Sequence, residues 1–217
     1  MYRVCYENVP ATPGAVIVLS CLFWALACGG VTARADEMHT VTPKEPDRNE
    51  YVSVYVGKSI TSKFSSIFIE PHQSRFERTF LASTAYGREI MRFGDRASVE
   101  IEANVARRFG DANLWEFTLV GQFRWLDFPW NHRVLTTAGV GIGPSYATKI
   151  SETEMQKGGG KGSHVLNYFS PEVTFAHPDR PNVEWMVRIH HRSGIFGLIN
   201  GVSGGSNHVS TGLRVRY

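Results

Sequence analysis

Cysteine is scarce in this chain of 217 residues and is confined to its beginning. All three cysteines, Cys5, Cys21 and Cys28, lie within residues 1–35. If that segment is removed, the remaining chain has no cysteine, which excludes a disulfide framework and a zinc-thiolate site.

Long hydrophobic runs are missing as well. The only extended apolar stretch, residues 15–28, is about 14 residues long, whereas a membrane-spanning helix needs about 20, so a polytopic helical membrane protein is excluded.

Charge of one sign is not in excess either. The chain has 23 Lys and Arg against 20 Asp and Glu, a formal net charge of +3, and the two signs are interspersed. A nucleic-acid-binding protein typically concentrates its basic residues in one stripe or patch, so nucleic acid is set aside as a partner. A hydrophobic content of 42% excludes a disordered or collagen-like chain. The last acidic residue of the sequence is Glu184.

The first 35 residues are predicted to be a secretory signal peptide that is cleaved. Arg3 lies in a short polar start, the apolar run follows, and the sequence ARA at 33–35 matches the small-residue pattern of a cleavage site. A retained membrane anchor is the alternative, and a lipoprotein is disfavoured because Ala25 stands three residues before Cys28, where a lipoprotein signal usually has leucine. Residues 36–50 are predicted to form an N-terminal arm. An exported chain without cysteine is typical of a bacterial envelope protein.

From Tyr51 onward the dominant hydrophobic period is two residues. Val, Ile and Ala alternate with Glu and Asn in residues 97–108, and Phe, Leu and Trp alternate with polar residues in 114–125. Such alternation predicts half-buried strands, and no segment has a convincing helical period. The predicted strands are 51–57, 78–92, 97–108, 114–125, 133–147, 164–175, 183–195 and 207–217.

Eight alternating strands are compatible with a soluble sandwich or with a closed outer-membrane barrel. Most connections alternate between short turns and longer loops, as they do in such barrels. Trp115 and Trp125 are about ten residues apart, which spans roughly 25 Å for a tilted strand, the height of a lipid-facing apolar band. The chain ends on Tyr217 in a strand that resembles the C-terminal signal of outer-membrane proteins. We predict an all-β fold, an eight-stranded antiparallel transmembrane (outer-membrane) β-barrel over residues 51–217.

The polar face of these strands contains Glu and Arg in near balance. An eight-stranded barrel is too narrow for an aqueous channel and is filled by side chains. We therefore predict an interior network of ion pairs, which argues against a porin. The residues assigned to this face are Glu100, Glu102, Glu116, Arg124, Glu172, Glu184, Arg188, Arg214 and Arg216.

Three His-x-Ser sequences occur, and one of them is the candidate site. A hydroxyl nucleophile needs a general base within hydrogen-bond reach and a third group that orients the base. Residues i and i+2 of a strand project from one face about 6.5–7 Å apart, a distance that His and Ser side chains can close. The copies at 72–74 and 208–210 are interpreted as structural, in a loop and on an inward face. His191 and Ser193 instead share the parity of the lipid-facing Trp185.

If both termini are periplasmic, the seventh strand runs outward and His191 and Ser193 lie near its extracellular end. Two interpretations stay open at this point. A polar pair that meets the outer leaflet is costly and indicates a function, whereas both residues are structural if they lie above the bilayer. His190, of opposite parity, is predicted to point into the barrel as a structural residue.

The segment from Val165 to Tyr217 contains FSPEVTFAHP, VEWMVRIHHRSGIFGLINGVSGGSN and GLRVRY. It resembles the C-terminal half of the lipid A 3-O-deacylase family, also called acyloxyacyl hydrolases, and the resemblance extends more loosely over the chain from Tyr51. It implies an eight-stranded outer-membrane barrel with a serine hydrolase site on its exterior, which releases the ester-linked acyl chain at position 3 of lipid A. It also implies Ser193 as the nucleophile and His191 as the general base.

Two positions depart from the family pattern. Gly194 stands where the family typically has Asn directly after the serine, and the sequence GGSN at 204–207 stands where the family has a glutamate. The acid that would orient the histidine is therefore missing from its expected place.

Several groups are candidates to replace that acid. Asn orients the histidine in Cys-His-Asn sites, so Asn207 or Asn200 is a candidate, and Glu152 or Glu154 in the preceding long loop is another. The backbone N–H of Gly194, with Asn200 or a neighbouring amide, is the candidate oxyanion hole.

The function expected from these features is an outer-membrane serine esterase that acts on lipid A. The alternatives are a non-catalytic small outer-membrane barrel with a structural or adhesive role and a hydrolase of another outer-leaflet lipid. No metal and no organic cofactor is expected, because a serine triad needs none. The expected partner is lipid A or lipopolysaccharide of the outer leaflet, bound by a membrane-embedded monomer or homodimer in the bacterial outer membrane.

Overall fold

The structure is a computed structural model that describes residues 48–70, 72 and 74–217. The predicted signal peptide and nearly all of the predicted N-terminal arm lie outside the described residues. Within the part that the structure describes, no helix is long and apolar enough to cross a membrane.

Eight strands and two short helices make up the regular structure of the described residues. In chain order they are β1 (Glu50–Ile60), α1 (Ser66–Ile69), β2 (Phe76–Phe93), β3 (Ala97–Gly110), β4 (Leu114–Trp125), β5 (Leu135–Ala147), α2 (Glu152–Lys157), β6 (Val165–His177), β7 (Arg180–Ser193) and β8 (Gly205–Arg216). The described residues between 62 and 74, which include α1, belong to a different compact unit from the strands.

The strands form one closed antiparallel barrel in which each strand pairs with its neighbours in sequence. Pairing of β1 with β8 closes the sheet, with Tyr51 opposite Arg216 and Ile60 opposite Asn207. The predicted all-β eight-stranded fold is confirmed, and the predicted strand bounds differ from the observed ones by at most three residues.

Alternating burial separates the two faces of the strands. In β4 the side chains at even positions from Leu114 to Arg124 are buried, and the residues at odd positions from Trp115 to Phe123 are exposed. The exposed side is apolar, as expected for a surface in contact with lipid chains. Its large members include Val54, Ile101, Phe117, Leu119, Phe123, Val140, Ile142, Trp185, Leu213 and Val215.

The barrel interior is filled by a network of buried ion pairs, as predicted. Arg124 contacts Glu100 and Glu172 at 3.1 and 2.5 Å, and Arg188 contacts Glu102 at 2.6 Å. Each of these buried charges has an oppositely charged partner, which offsets the cost of removing it from water. Removal of one partner is therefore expected to be more damaging than the loss of an exposed pair.

A second group of charges lies towards the barrel end where β7 stops. Arg108 contacts Glu116 and Glu154 at 2.5 and 2.9 Å, and Glu154 also contacts Arg192 at 2.5 Å. Glu154 comes from α2, whose first turn is capped by Ser151. The sequence predicts no helix in the long β5–β6 connection, yet part of it is helical, because this cap and the buried carboxylate stabilise a short helix there.

Candidate functional site

The candidate site lies on the outward face of β7, at the end of the strand. His191 and Ser193 are two residues apart and therefore project from the same face. Arg192 between them is fully buried inside the barrel. The structure thus places the pair on the face that the sequence parity predicts.

A continuous chain of hydrogen bonds connects Ser193, His191 and Asn207. The Oγ atom of Ser193 lies 2.9 Å from Nε2 of His191. The Nδ1 atom of the same ring lies 2.5 Å from Oδ1 of Asn207, which is directly opposite His191 in the β7–β8 register. When the Nδ1–H donates to the amide oxygen, Nε2 is left as the acceptor for the serine hydroxyl, which is the tautomer that a general base requires.

The remaining candidates to orient His191 either have other hydrogen-bond partners or are exposed. The amide of Asn200 donates to Oγ of Ser163 at 2.7 Å and to the carbonyl oxygen of Val165 at 3.3 Å. Glu154 is turned into the barrel, where it contacts arginines. Glu152 is exposed on α2. Of the candidates to orient His191, Asn207 is the one found at its ring.

Gly194 continues β7 into the loop in a crowded position. Its backbone N–H donates to the carbonyl oxygen of Gly204 at 3.2 Å, so that donor is already engaged. An oxyanion role for this N–H would require the bond to Gly204 to break. A side chain at position 194 would also collide with Val202, whose carbonyl oxygen lies 2.1 Å from an ideal Cβ. Glycine at this position is therefore explained by the close approach of the two arms of the loop.

The β7–β8 loop next to Ser193 has an unusual backbone. Ile195, Phe196 and Asn200 have φ angles of 48°, 53° and 53°, a left-handed conformation that costs non-glycine residues of order 1–3 kcal/mol each. Two exposed apolar side chains lie in the same loop, with Phe196 95% and Leu198 82% accessible. An apolar loop tip beside a serine–histidine pair is suited to contact with acyl chains.

An aromatic side chain flanks the histidine on its other side. Phe169 of β6 is opposite His191 in the register, and the two ring centroids are 6.5 Å apart in an edge-to-face arrangement. Packing of this kind restricts the orientation of the imidazole ring. The sequence does not single out Phe169, because cross-strand partners depend on register rather than on local pattern.

The other histidines near the site face the interior. His190 is fully buried and is hydrogen-bonded to Glu116 at 3.1 Å, and the buried ring of His208 has its centroid 5.9 Å from that of His190. These inward positions agree with a structural role for His190 and for the His-x-Ser sequence at 208–210. Among the described residues, no group of three or more His, Cys, Asp or Glu side chains is arranged to hold a metal ion.

The fold is that of a small outer-membrane β-barrel, and comparison with solved structures agrees with this class. The chain is similar to the outer membrane enzyme PagL, with a TM-score of 0.52 and 14% identity over 76% of this chain and 98% of that one. At this identity the likeness concerns the fold alone.

Two further solved structures are similar at lower scores. Neisserial surface protein A has a TM-score of 0.48 and 14% identity over 77% of this chain and 97% of that one. Ail, the attachment invasion locus protein of Yersinia pestis in complex with the heparin analogue sucrose octasulfate, has a TM-score of 0.29 and 12% identity over 76% and 99%. No protein-family model and no curated protein sequence matches the chain.

Proposed function

We propose that this protein is an outer-membrane serine esterase that removes the ester-linked acyl chain at position 3 of lipid A. The observation on which the proposal rests is the hydrogen-bonded series Ser193, His191 and Asn207 on the outside of the barrel. The sequence resemblance around these residues indicates the substrate, and the barrel fold shared with the outer membrane enzyme PagL is compatible with it.

The position of the site favours a lipid substrate. An outward-facing serine at the end of a strand that is apolar on the same face meets the acyl chains rather than the barrel interior. The proposal includes cleavage of residues 1–35 as a signal peptide, periplasmic termini and an extracellular β7–β8 loop. In that orientation Ser193 lies at the level of the outer leaflet, where lipid A is found, and the active form is a monomer or homodimer.

The proposed reaction has two halves. His191 Nε2 removes the hydroxyl proton as Ser193 Oγ attacks the ester carbonyl carbon, and collapse of the tetrahedral intermediate breaks the bond to the sugar oxygen. The protonated imidazole gives the proton to that oxygen, which leaves lipid A with a free 3-hydroxyl. Water, deprotonated by His191, then attacks the acyl-serine, and collapse of the second tetrahedral intermediate breaks the bond to Oγ. The imidazolium returns its proton to Oγ, and the fatty acid is released. Asn207 keeps the proton on Nδ1 during both halves.

Mass spectrometry of lipid A tests the proposal. Cells that express the wild-type protein are expected to lose one ester-linked acyl chain from lipid A, and cells that express Ser193→Ala are expected to retain it. Identical lipid A acylation in the two strains, with both proteins inserted as folded barrels, would contradict the proposed esterase activity.

A matched control comes from the third His-x-Ser sequence. Ser210 follows His208 with the same spacing, but both residues are buried inside the barrel. Ser210→Ala is therefore expected to leave lipid A deacylation at the wild-type level. Loss of activity in this variant as well would mean that barrel integrity, and not the hydroxyl of Ser193, is being measured.

The neutral amide at position 207 favours one alternative, a non-catalytic small barrel with a structural or adhesive role. A carboxylate would stabilise the imidazolium that forms during catalysis, and Asn207 supplies no such charge. Under this alternative Ser193 does not react with a fluorophosphonate probe, and deletion of exposed loops abolishes binding to a partner while lipid A stays unchanged. Covalent labelling of Ser193 would exclude it.

A further inference from the structure

The tetrahedral intermediate of the proposed reaction carries a negative oxygen that needs hydrogen-bond donors. Such donors lie about 2.7–3.1 Å from the oxyanion and are fixed before the reaction begins. The amides expected from the sequence to fill this role are already engaged: the N–H of Gly194 donates to Gly204, and the side chain of Asn200 donates to Ser163 and Val165. Neither of these two amides can therefore donate to an oxyanion without breaking a hydrogen bond that the fold already makes.

Asn167 on β6 is directly opposite Ser193 in the β6–β7 register. Side chains of directly opposed residues lie on the same face, with Cβ atoms about 4.5–5.5 Å apart. The amide of Asn167 is therefore a neighbour of the serine on the outward face. On the other side of β7, Asn207 is the register partner of His191, so each member of the His-Ser pair has an asparagine beside it.

The surroundings of Asn167 make a purely structural role difficult to explain. On the outward face of β6 from Val165 to Phe175 it is the one polar residue, among Val, Phe and Pro. Its side-chain amide makes none of the hydrogen bonds found among the described residues. A half-buried amide on a lipid-facing strand is costly unless a hydrogen-bond partner arrives.

From this juxtaposition we infer that Asn167 is a catalytic residue, the oxyanion-hole donor of the esterase. The inference rests on the proposed function and goes beyond it by assigning the group that stabilises the intermediate. The Nδ2 atom of Asn167 donates to the carbonyl oxygen of the ester as that oxygen becomes negative, while Oγ of Ser193 bonds to the carbonyl carbon. The ester carbonyl oxygen of the substrate thus accepts a hydrogen bond from the side-chain amide of Asn167.

Two substitutions test the role of the amide. Asn167→Ala removes the donor, and Asn167→Asp keeps the size of the side chain but replaces the donor by a negative group. For a donor that acts in the transition state, kcat for a p-nitrophenyl acyl ester in mixed micelles is expected to fall about 10²–10³-fold in Asn167→Ala. KM is expected to stay within about twofold, because the ground-state ester interacts weakly with the donor. Asn167→Asp is expected to be at least as impaired.

A second readout and a control separate chemistry from folding. The rate of fluorophosphonate labelling of Ser193 is expected to fall in parallel with kcat, because the phosphonyl oxygen occupies the same site. Heat-modifiable migration in electrophoresis reports whether each variant is a folded barrel. Asn113→Ala is the matched control, since Asn113 is exposed between β3 and β4 and is hydrogen-bonded to Arg107, and it is expected to keep wild-type kcat.

The outcomes distinguish this inference from the proposed function. Folded Asn167→Ala with wild-type kcat and labelling rate overturns the role of Asn167 and leaves the esterase proposal standing. A rise in KM without a fall in kcat also overturns it, because the amide then binds substrate and does not stabilise the intermediate. A wild-type protein that neither labels nor hydrolyses esters overturns both, whereas labelling without lipid A deacylation overturns only the assigned substrate.

Discussion

Asn207 lies directly across the β7–β8 pair from His191, and its Oδ1 atom is 2.5 Å from Nδ1 of the imidazole ring. Asn207 is 3% accessible, so water competes little for this bond. When Nδ1–H donates to this oxygen, Nε2 is the ring nitrogen that accepts a hydrogen bond from the hydroxyl of Ser193. Because the acceptor is neutral, it orients the ring without the charge that would stabilise an imidazolium.

Substitution of Asn207 tests whether this residue orients the His191 ring without stabilising the imidazolium by charge. Asn207→Asp adds a carboxylate beside the imidazolium of the transition state, and a charge-assisted hydrogen bond of this kind is expected to raise kcat about tenfold. Asn207→Ala removes the acceptor, so the tautomer is no longer fixed and kcat is expected to fall about 100-fold. Steady-state hydrolysis of an acyl ester by the folded proteins measures both effects. An unchanged rate in Asn207→Ala would contradict an orienting role.

The two adjacent histidines provide a test of strand parity. His191 faces outward beside Ser193, and His190 faces inward, hydrogen-bonded to Glu116. His191→Ala is expected to lower kcat by about 10³-fold or more with little effect on unfolding, since the proposed general base is lost. His190→Ala is expected to lower the urea midpoint of unfolding because a buried partner of Glu116 is removed. Equal losses of activity in the two folded variants would argue against the assignment.

The buried Glu154 offers a test of how the barrel interior supports the site. It bonds to Arg192, which lies between His191 and Ser193, and to Arg108. Glu154→Gln removes the negative charge between these two buried arginines and is expected to cost about 3–5 kcal/mol of unfolding free energy. Glu152→Gln, at an exposed position of the same helix, is expected to change it by less than about 0.5 kcal/mol. Urea titration in detergent compares the two, and similar midpoints would refute the role of the interior pair.

Gly205 tests the packing beside the serine. It is opposite Ser193 in the register, and an ideal Cβ on it would lie 1.8 Å from the carbonyl oxygen of Arg192. Gly205→Ala is therefore expected to displace the end of β7 and to slow fluorophosphonate labelling of Ser193 by about tenfold or more, since misplaced reacting groups lose rate steeply. Gly121→Ala is the control, because an ideal Cβ there has no neighbour within 4 Å. Wild-type labelling in Gly205→Ala would show that the strand end adapts without cost.

The fold is largely predictable because strand periodicity is a local property. Alternation in segments such as 114–125 marks a strand, and the same alternation assigns Glu116 and Arg124 to the polar face. The interior ion pairs follow from that assignment. Arg108 and Arg192 are harder to assign to the interior, although their parity matches it, because the sequence around them is rich in charged and polar residues.

The site is predictable only in part. The spacing of His191 and Ser193 predicts one outward face, and the structure places them there. The sequence does not distinguish Asn207 from Asn200, because the choice depends on the register between β7 and β8 and on the conformation of the long loop that joins them. Glu154 is wrong as a partner of the histidine, since its turn into the barrel depends on two distant arginines.

The amino-acid sequence by itself determined which residues alternate, and therefore the strands, the apolar outer face, the charged inner face and the common face of His191 and Ser193. The reason is that a strand repeats every two residues whatever its neighbours are. The tertiary structure decided what stands beside that pair: Asn207 at His191, Asn167 at Ser193 and Arg192 anchored to Glu154 beneath. Those contacts join separate strands and loops, and they exist only once the barrel has closed in one register.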